Sequence, residues 1–369
     1  MAAAASKPAF STDEFQRRLA ATRQAMAKRE VGVLLLDQQE HVAYLTGYPP
    51  PPTRYQAVLV PLEGAPVLLV RPLDEPKVHA QSWLQSYRAY PDTQESMEAL
   101  AGLVRDNGWA SARIGLEKDG LAMTVQQYET LLGLLPDARL VNVDGMLPAI
   151  RARKSAEEVA LHRQAAAIAD AATMAAIEAI WNGGNERDAL IAANVTVLKM
   201  GGEEGHVALI RIAPPASGDD GGRVIFVETI PHLKGYNSRN IRSAIIGKAS
   251  AGQQQAARDV IAIQDAQIAA MKPGARANEV DALCREAIMA ARMRPSYDGV
   301  TGHTLGFTGA RRSTDLSLAF LPTSDWVLEA GMVFHMFTRG HGISIGDTIL
   351  VTDTGPERLT GLERTLFTQ

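Results

Sequence analysis

The pattern of apolar residues changes near Ile150, and this change points to a chain of two domains. Before Ile150, short apolar segments alternate with helical patterns. This alternation is typical of an α/β domain, in which helices cover the apolar faces of a sheet. The predicted elements are a helix from Ser11 to about Lys28, strands at residues 31–36, 113–117 and 139–143, a hairpin over residues 57–70 and a helix over residues 125–134.

A further apolar run, Val42–Tyr48, precedes the proline-rich loop of residues 49–52. Its valine, tyrosines and leucine are residues that strands favour, and prolines follow it. We therefore interpret this run as another strand of the first domain.

The second half of the chain has longer helices. Ser155 with Glu158 three residues later forms the pattern of a capping box, which predicts the start of an alanine-rich helix reaching about Trp181. Pairs of strands then alternate with pairs of helices, which predicts an α+β domain of two similar halves over residues 151–369, after an α/β domain over residues 1–150. The remaining predicted elements are helices at residues 186–200, 253–271 and 277–291 and strands at residues 207–212, 224–229, 332–337 and 343–351.

The composition is that of a globular enzyme. The 369 residues are 46% hydrophobic, enough to fill two cores, and the net charge of −4 gives no reason to expect nucleic acid or an anionic membrane surface as a partner. The single cysteine, Cys284, excludes an intrachain disulfide and any multi-cysteine metal site. We expect a cytoplasmic protein, because the N-terminus lacks the apolar core of a signal peptide.

Several fragments, in their shared order and spacing, resemble the creatinase/prolidase/aminopeptidase P family, whose C-terminal domain has the pita-bread fold. Tyr44–Tyr48 is similar to the signature of the creatinase-type N-terminal domain. The segments that resemble the C-terminal domain are residues 228–242, 271–274, 301–306, 329–333 and 345–352. The resemblance covers nearly the whole chain and implies a creatinase-type α/β domain followed by a pita-bread domain.

The resemblance also implies where the family's metal ligands would fall. Metal-dependent members use two aspartates, one histidine and two glutamates. The corresponding positions here are Glu228, Arg239, His303, Phe337 and Gly346. Only Glu228 and His303 have side chains that bind metals, and an arginine has no lone pair to offer. We therefore expect neither a metal nor another cofactor.

Creatinase, a metal-free member of the family, is an incomplete precedent. Its catalytic histidine lies in a loop before the first of these strands, and the corresponding loop here, residues 213–222, contains no histidine. The creatinase glutamate and histidine at positions 337 and 346 are Phe337 and Gly346 here. The creatinase mechanism therefore does not transfer to this chain.

His303, Glu228 and His335 are the candidate catalytic residues. A neutral imidazole can take or give a proton near pH 7, so His303 is either an acid or base, or a structural remnant of a metal site. His335 shares a strand face with Phe337 and is expected to point the same way. Glu228 and Arg239 are expected to pair, either to hold a substrate carboxylate or as a purely structural salt bridge.

The other candidates are substrate-binding residues. Arg311 and Arg312 follow the Gly-His motif, where creatinase uses an arginine for the substrate carboxylate; the alternative is a solvated surface pair. Asp220 is either part of a loop over the site or half of an Asp-Gly turn. Tyr48 borders the loop Pro49–Tyr55, which in this family can cover the site of a neighbouring subunit, so we expect a homodimer.

Two functions from different classes remain open. The first is a metal-independent, creatinase-like hydrolase acting on a C–N or amide bond of a small polar compound that carries a carboxylate. The second is a non-catalytic protein that kept the pocket for binding a small molecule. A metal-dependent Xaa-Pro dipeptidase is a third alternative, and the loss of three ligand positions argues against it.

Overall fold

The computed structural model describes residues 9–203, 208–215, 218–308 and 315–369. The chain divides into two compact units between Ile150 and Arg151. Among the described residues, none of the helices combines the length and the apolar character that crossing a bilayer requires.

The first unit is built around a six-stranded mixed sheet. Its helices are α1 (Thr12–Lys28), α2 (Gln39–Thr46), α3 (Glu75–Gln81), α4 (Ser96–Asp106), α5 (Val125–Leu134) and α6 (Met146–Arg151). Its strands are β1 (Val33–Leu36), β2 (Ala57–Pro61), β3 (Val67–Val70), β4 (Tyr87–Ala89), β5 (Arg113–Leu116) and β6 (Arg139–Asn142), in the spatial order β4-β3-β2-β1-β5-β6.

Strand β1 lies at the centre of this sheet and is buried on both faces. It pairs antiparallel with β2 and parallel with β5. Leu34 and Leu36 pack into one apolar cluster, whereas Val33 and Leu35 pack into another on the opposite face. Burial on both faces explains why β1 is a continuous apolar run rather than an alternating one.

The prediction that Val42–Tyr48 forms a strand is wrong, because residues 39–46 form helix α2. The helix ends at Gly47, whose φ of 78° lies in the left-handed region and whose N–H donates to the carbonyl of Ala43. Residues 40–46 are all buried. A short apolar run buried all round has no visible period, so the sequence alone does not distinguish a strand from a helix there.

The second unit contains four long helices and a curved run of antiparallel strands. The helices are α7 (Ala156–Trp181), α8 (Glu186–Lys199), α9 (Ala251–Ala269) and α10 (Ala277–Ala290). The strands are β7 (Ala208–Ala213), β8 (Arg223–Thr229), β9 (His232–Leu233), β10 (Tyr236–Asn237), β11 (Asn240–Ile246), β12 (Gly302–Thr304), β13 (Val333–Gly340), β14 (Ile343–Thr352) and β15 (Gly355–Arg358).

The main sheet of the second unit has the order β12-β13-β14-β11-β8-β7, with β15 also paired to β14. One face packs on the helices through apolar side chains that include Ile225, Val227, Ala244, Phe334 and Met336. Alternation along the strands turns the intervening residues toward the other face. That other face carries the residues that the resemblance assigns to the family's ligand positions.

The capping box predicted for α7 is confirmed. The Ser155 hydroxyl accepts from the N–H of Glu158, and the Glu158 carboxylate accepts from the N–H of Ser155. The alanine-rich sequence suits a helix packed closely on α8 and the sheet, because small side chains allow a close approach. Ala172 and Ala176 are among the fully buried contacts.

Candidate functional site

Five strands of the main sheet bring the predicted residues onto one face. Glu228 on β8 pairs with Ile241 on β11, Ile241 pairs with Gly346 on β14, and Gly346 pairs with Phe337 on β13. One step along, His303 on β12 lies directly opposite His335 on β13. The register therefore gathers residues that are more than a hundred positions apart in the chain.

Arg239 lies at the centre of this group. Its side chain is largely buried, with the residue 9% exposed. Its Nη1 lies 3.0 Å from His303 Nε2, and its Nε lies 3.5 Å from Glu228 Oε1. Among the described residues, Nε has no partner with hydrogen-bond geometry, so the contact with Glu228 is an ion pair only. The guanidinium thus fills the space between the two remaining ligand-type side chains.

Thr348 fixes the backbone of Arg239. Its hydroxyl accepts from the N–H of Arg239 at 2.9 Å and donates to the carbonyl of Arg239, also at 2.9 Å. The hydroxyl of Ser238 donates to the hydroxyl oxygen of Thr348 at 2.7 Å. The sequence marks Thr348 as part of a strand motif, but only the cross-strand geometry reveals this positioning role.

His303 is neutral and has one fixed tautomer. Its Nδ1 lies 2.9 Å from the carbonyl oxygen of Thr304, which only accepts, so Nδ1 carries the proton. Nε2 therefore carries a lone pair, and this lone pair accepts from Arg239. Burial and then the positive charge of Arg239 lower the pKa of His303 to about 4.

His335 is fully buried, and neither of its ring nitrogens has a hydrogen-bond partner among the residues that the structure describes. Its ring stacks on Phe337 with 4.9 Å between centroids. Burial, followed by the positive charge of Arg239, lowers the pKa of His335 well below the ordinary value. His335 is thus a neutral imidazole without access to solvent.

Gly346 is needed for this arrangement. A Cβ at position 346 would lie 2.7 Å from His335 Nε2 and 3.0 Å from the Cβ of Phe337. The two side chains therefore occupy the space in which a side chain at position 346 would begin.

Glu228 is the only carboxylate in the group. Burial raises the pKa of Glu228 above its ordinary value, although the charge of Arg239 acts in the opposite direction. Burial also lowers the pKa of Arg239, which Glu228 opposes. Arg239 nevertheless stays protonated near neutral pH, because an arginine ordinarily titrates far above it.

This donor set does not fit the family's metal centre. Within the described parts of the chain, no group of three or more histidine, cysteine, aspartate or glutamate side chains is arranged to hold a metal ion. A cation placed between Glu228 and His303 would meet the guanidinium of Arg239, which repels it and offers no lone pair.

The structure does not bring the other predicted residues into this group. Tyr48 is fully buried in the core of the first unit, where its hydroxyl donates to Gln56 at 2.7 Å, which favours a structural role. Asp220 is exposed next to Asp219, whose carboxylate accepts from the N–H of Gly221, as in an Asp-Gly turn. That turn precedes β8 at the end away from Glu228, five residues or about 16 Å along the strand.

Arg311 and Arg312 lie outside the described residues.

Asp347, on the sheet face opposite to Gly346, is fully buried and accepts from Arg242 at 2.8 Å and from Thr360 at 2.7 Å. It therefore holds β11 and β14 together from the side that packs on the helices.

Comparison with known proteins assigns a domain family to each of the two units. Residues 18–153 match the Creatinase/Prolidase N-terminal domain, and residues 160–353 match Metallopeptidase family M24. The ectoine hydrolase of Halomonas elongata is 26% identical over 97% of this chain and 98% of its own. The Xaa-Pro dipeptidase of Pyrococcus furiosus is 30% identical over 61% of this chain and 68% of its own, and the creatinase of a Bacillus species is 24% identical over 96% and 92%.

Solved structures show the same fold at lower identity. The prolidase from Pyrococcus horikoshii OT3 matches 95% of this chain and 100% of its own, with a TM-score of 0.81 and 22% identity. The Xaa-Pro dipeptidase from Bacillus anthracis matches 96% and 100%, with a TM-score of 0.81 and 20% identity. These matches establish the two-domain fold, and the chain belongs to Metallopeptidase family M24, with a Creatinase/Prolidase N-terminal domain before the pita-bread domain.

Proposed function

We propose that this protein is a metal-independent hydrolase that cleaves a C–N or amide bond in a small polar compound carrying a carboxylate. The observation that carries the proposal is the buried guanidinium of Arg239, which lies between Glu228 and the neutral His303. A positive charge in the space between the ligand positions repels a cation and attracts an anion.

Arg239 would anchor the substrate. A guanidinium presents several N–H donors in one plane and grips a carboxylate through two parallel hydrogen bonds. Its burial removes competing water, which strengthens the attraction. Glu228 opposes the ligand's charge, and its raised pKa reduces that opposition.

His303 would act as the base. Its Nε2 takes a proton from a water molecule while the water oxygen bonds to the carbonyl carbon of the C–N bond. The π electron pair of the C=O bond moves onto its oxygen and returns when the C–N bond breaks. The C–N bond then breaks, the proton passes from Nε2 to the departing nitrogen, and the products are an acid and an amine. Glu228, whose pKa is raised, would share in this proton transfer. His335 packs against the rings of His303 and Phe337 and contributes a neutral, water-free wall.

The names of the relatives support hydrolysis of this bond class. They include a hydrolase and dipeptidases, and a dipeptidase cleaves the C–N bond of a peptide. The metal-dependent chemistry of a dipeptidase finds no matching donor set at Arg239, Phe337 and Gly346. We therefore do not propose an Xaa-Pro dipeptidase.

A non-catalytic binding protein is the second candidate. It is favoured by one observation: the lone pair of His303 is already used by Arg239, so the base is not free in the structure. Fold alone does not decide between the two functions, because one scaffold supports many roles.

The proposal is tested with purified protein dialysed against a strong chelator, with metal content checked by elemental analysis. We expect less than stoichiometric metal and undiminished hydrolysis within a panel of guanidino, betaine, cyclic amidine and acylamino acids. His303→Gln should remove turnover while ligand binding persists. One or two metals per chain, with activity lost to the chelator, would overturn the proposal. Binding without turnover of any panel member would instead support the second candidate.

A further inference from the structure

Arg239 and His303 are bonded to each other, although the proposed reaction needs both of them free. Nδ1 of His303 is committed to the carbonyl of Thr304, so Nε2 is the only atom of the ring that can take a proton. The same Nε2 accepts from Nη1 of Arg239 at 3.0 Å. While this bond persists, Nε2 of His303 has no free lone pair with which to take a proton from a water molecule.

We propose that the substrate's own carboxylate releases His303, by drawing the guanidinium of Arg239 away from Nε2. Arg239 is then a specificity-determining residue that couples recognition of an anion to the availability of the base. This inference rests on the proposed function. Its consequence is that a neutral analogue of the substrate would not be hydrolysed, however well it fitted the site.

The direction of the exchange follows from hydrogen-bond strength. Arg239 now makes one bond to a neutral imidazole, whereas a carboxylate brings an opposite charge and accepts two parallel bonds from the guanidinium. The exchange is local, because Thr348 holds the backbone of Arg239 while the side chain turns.

The position of Glu228 directs where a ligand binds. Its carboxylate lies 3.5 Å from Nε, so it repels a second anion from that edge of the guanidinium. The edge remote from Glu228 carries the two Nη nitrogens. A carboxylate held there by two bonds engages one N–H of Nη1 and turns the guanidinium toward itself, which draws Nη1 away from His303.

The test reads the protonation and bonding of His303 directly, by two-bond proton–nitrogen correlation spectra of deuterated protein labelled with nitrogen-15 in histidine. The signals of His303 are assigned from their loss in His303→Gln. The probes are acetate and N-acetylglycine, with methylammonium chloride and sodium chloride as controls at equal ionic strength. His162 is the internal reference, because its Nε2 is buried without a hydrogen-bond partner in the described structure.

Acetate is expected to move the Nε2 resonance of His303 toward the position of an imidazole nitrogen whose lone pair accepts no hydrogen bond. The acetate concentration that gives half of this change should equal the dissociation constant measured by calorimetry. Arg239→Met should show that position without acetate, give no further change when acetate is added, and weaken acetate binding about tenfold or more. Arg239→Lys, which keeps the charge, serves if Arg239→Met does not fold.

Two results would overturn the inference and separate it from the proposed function. If acetate binds in a manner that depends on Arg239 while the Nε2 resonance stays in place, the release is refuted and the carboxylate anchor stands. If neither carboxylate binds in a manner that depends on Arg239, the proposed function fails as well.

Discussion

Arg239 places a permanent positive charge where two polar side chains, Glu228 and His303, converge. Around it, burial keeps His303 and His335 neutral and makes Glu228 easier to protonate. A buried polar group without a partner costs about 1–3 kcal/mol, and neither ring nitrogen of His335 has a partner among the described residues. Three predictions concern single residues of the second unit.

Arg239→Lys keeps the charge but loses the planar fork. We expect it to weaken binding of a small carboxylate by about 1–3 kcal/mol, measured by calorimetry. The matched control is Arg163→Lys, an exposed arginine that pairs with Glu357. An unchanged affinity together with a lower unfolding temperature would identify Arg239 as a structural counter-ion, and the binding assignment would be dropped.

Gly346→Ala should destabilise the protein by about 1–3 kcal/mol in urea unfolding, because the new Cβ would lie 2.7 Å from His335 Nε2 and 3.0 Å from the Cβ of Phe337. The control is Gly133→Ala within α5, where nothing lies within 4 Å of the added Cβ. The control should stabilise by about 0.5–1 kcal/mol, as expected for a helix interior. Equal stability of both variants would refute the close packing.

His162 on α7 should make stability depend on pH. Burial, with a smaller effect of Lys154, lowers its pKa to about 3, against about 6.5 when unfolded. The unfolded chain therefore binds the extra proton between these values, and folded stability falls as the pH decreases from about 6.5 to about 3. In His162→Gln, the decline of unfolding free energy over this range should be shallower; an identical slope would contradict the assignment.

At the scale of secondary structure, register and capping place the site. One residue of slippage between β13 and β14 would turn Phe337 and His335 to the helix-packed face. The buried ion pair of Arg242 with Asp347, on the opposite face, holds β11 against β14 and keeps Arg239 in position. Helix α7 packs on β8 and β11 from that same face, so its first turn matters to the sheet.

Ser155→Ala removes one half of the capping box of α7. We expect a loss of about 1 kcal/mol in unfolding free energy, because one N–H of the first turn loses its acceptor. Ser111→Ala is a control at an exposed position in a turn, with an expected effect within about 0.5 kcal/mol. If both changes had the same effect, the cap would not contribute to stability.

At the scale of the whole molecule, the chain shares its two-domain fold with prolidases. The same fold also occurs in the N-terminal domain of the FACT complex subunit SPT16 from chickpea, with a TM-score of 0.74 and 15% identity. Fold therefore fixes the scaffold, and the side chains at the ligand positions decide the chemistry.

A homodimer is the expected assembly, with the loop Pro49–Tyr55 of one subunit near the pocket of the other. The basis is the resemblance to the family and the apolar, aromatic character of that loop. Light scattering at micromolar concentration should give twice the chain mass of 39.6 kDa. A monomer at that concentration would argue against it, and a dimer unchanged by Pro52→Glu, at an exposed position of the loop, would argue against the role of the loop.

The four long helices and the strands β7, β8, β13 and β14 of the second unit followed from the sequence. Long helices such as α7 carry a capping signal and a sustained pattern, and the strands β8, β13 and β14 are apolar runs of sufficient length. Helix α2 was not predicted from the sequence, because its apolar run is short and buried on all sides. The predicted elements did not include helices α3, α4 and α6 or strands β4, β9, β10, β11, β12 and β15.

The sequence by itself determined that the ligand positions had changed, because arginine, phenylalanine and glycine cannot supply the lone pairs of carboxylates. Only the tertiary structure decided what replaced them. The bond from Arg239 to His303, the insertion of His335 against Gly346 and the exclusion of Asp220 all depend on strand register. Register joins residues that are distant along the chain, and no local pattern encodes the distance between them.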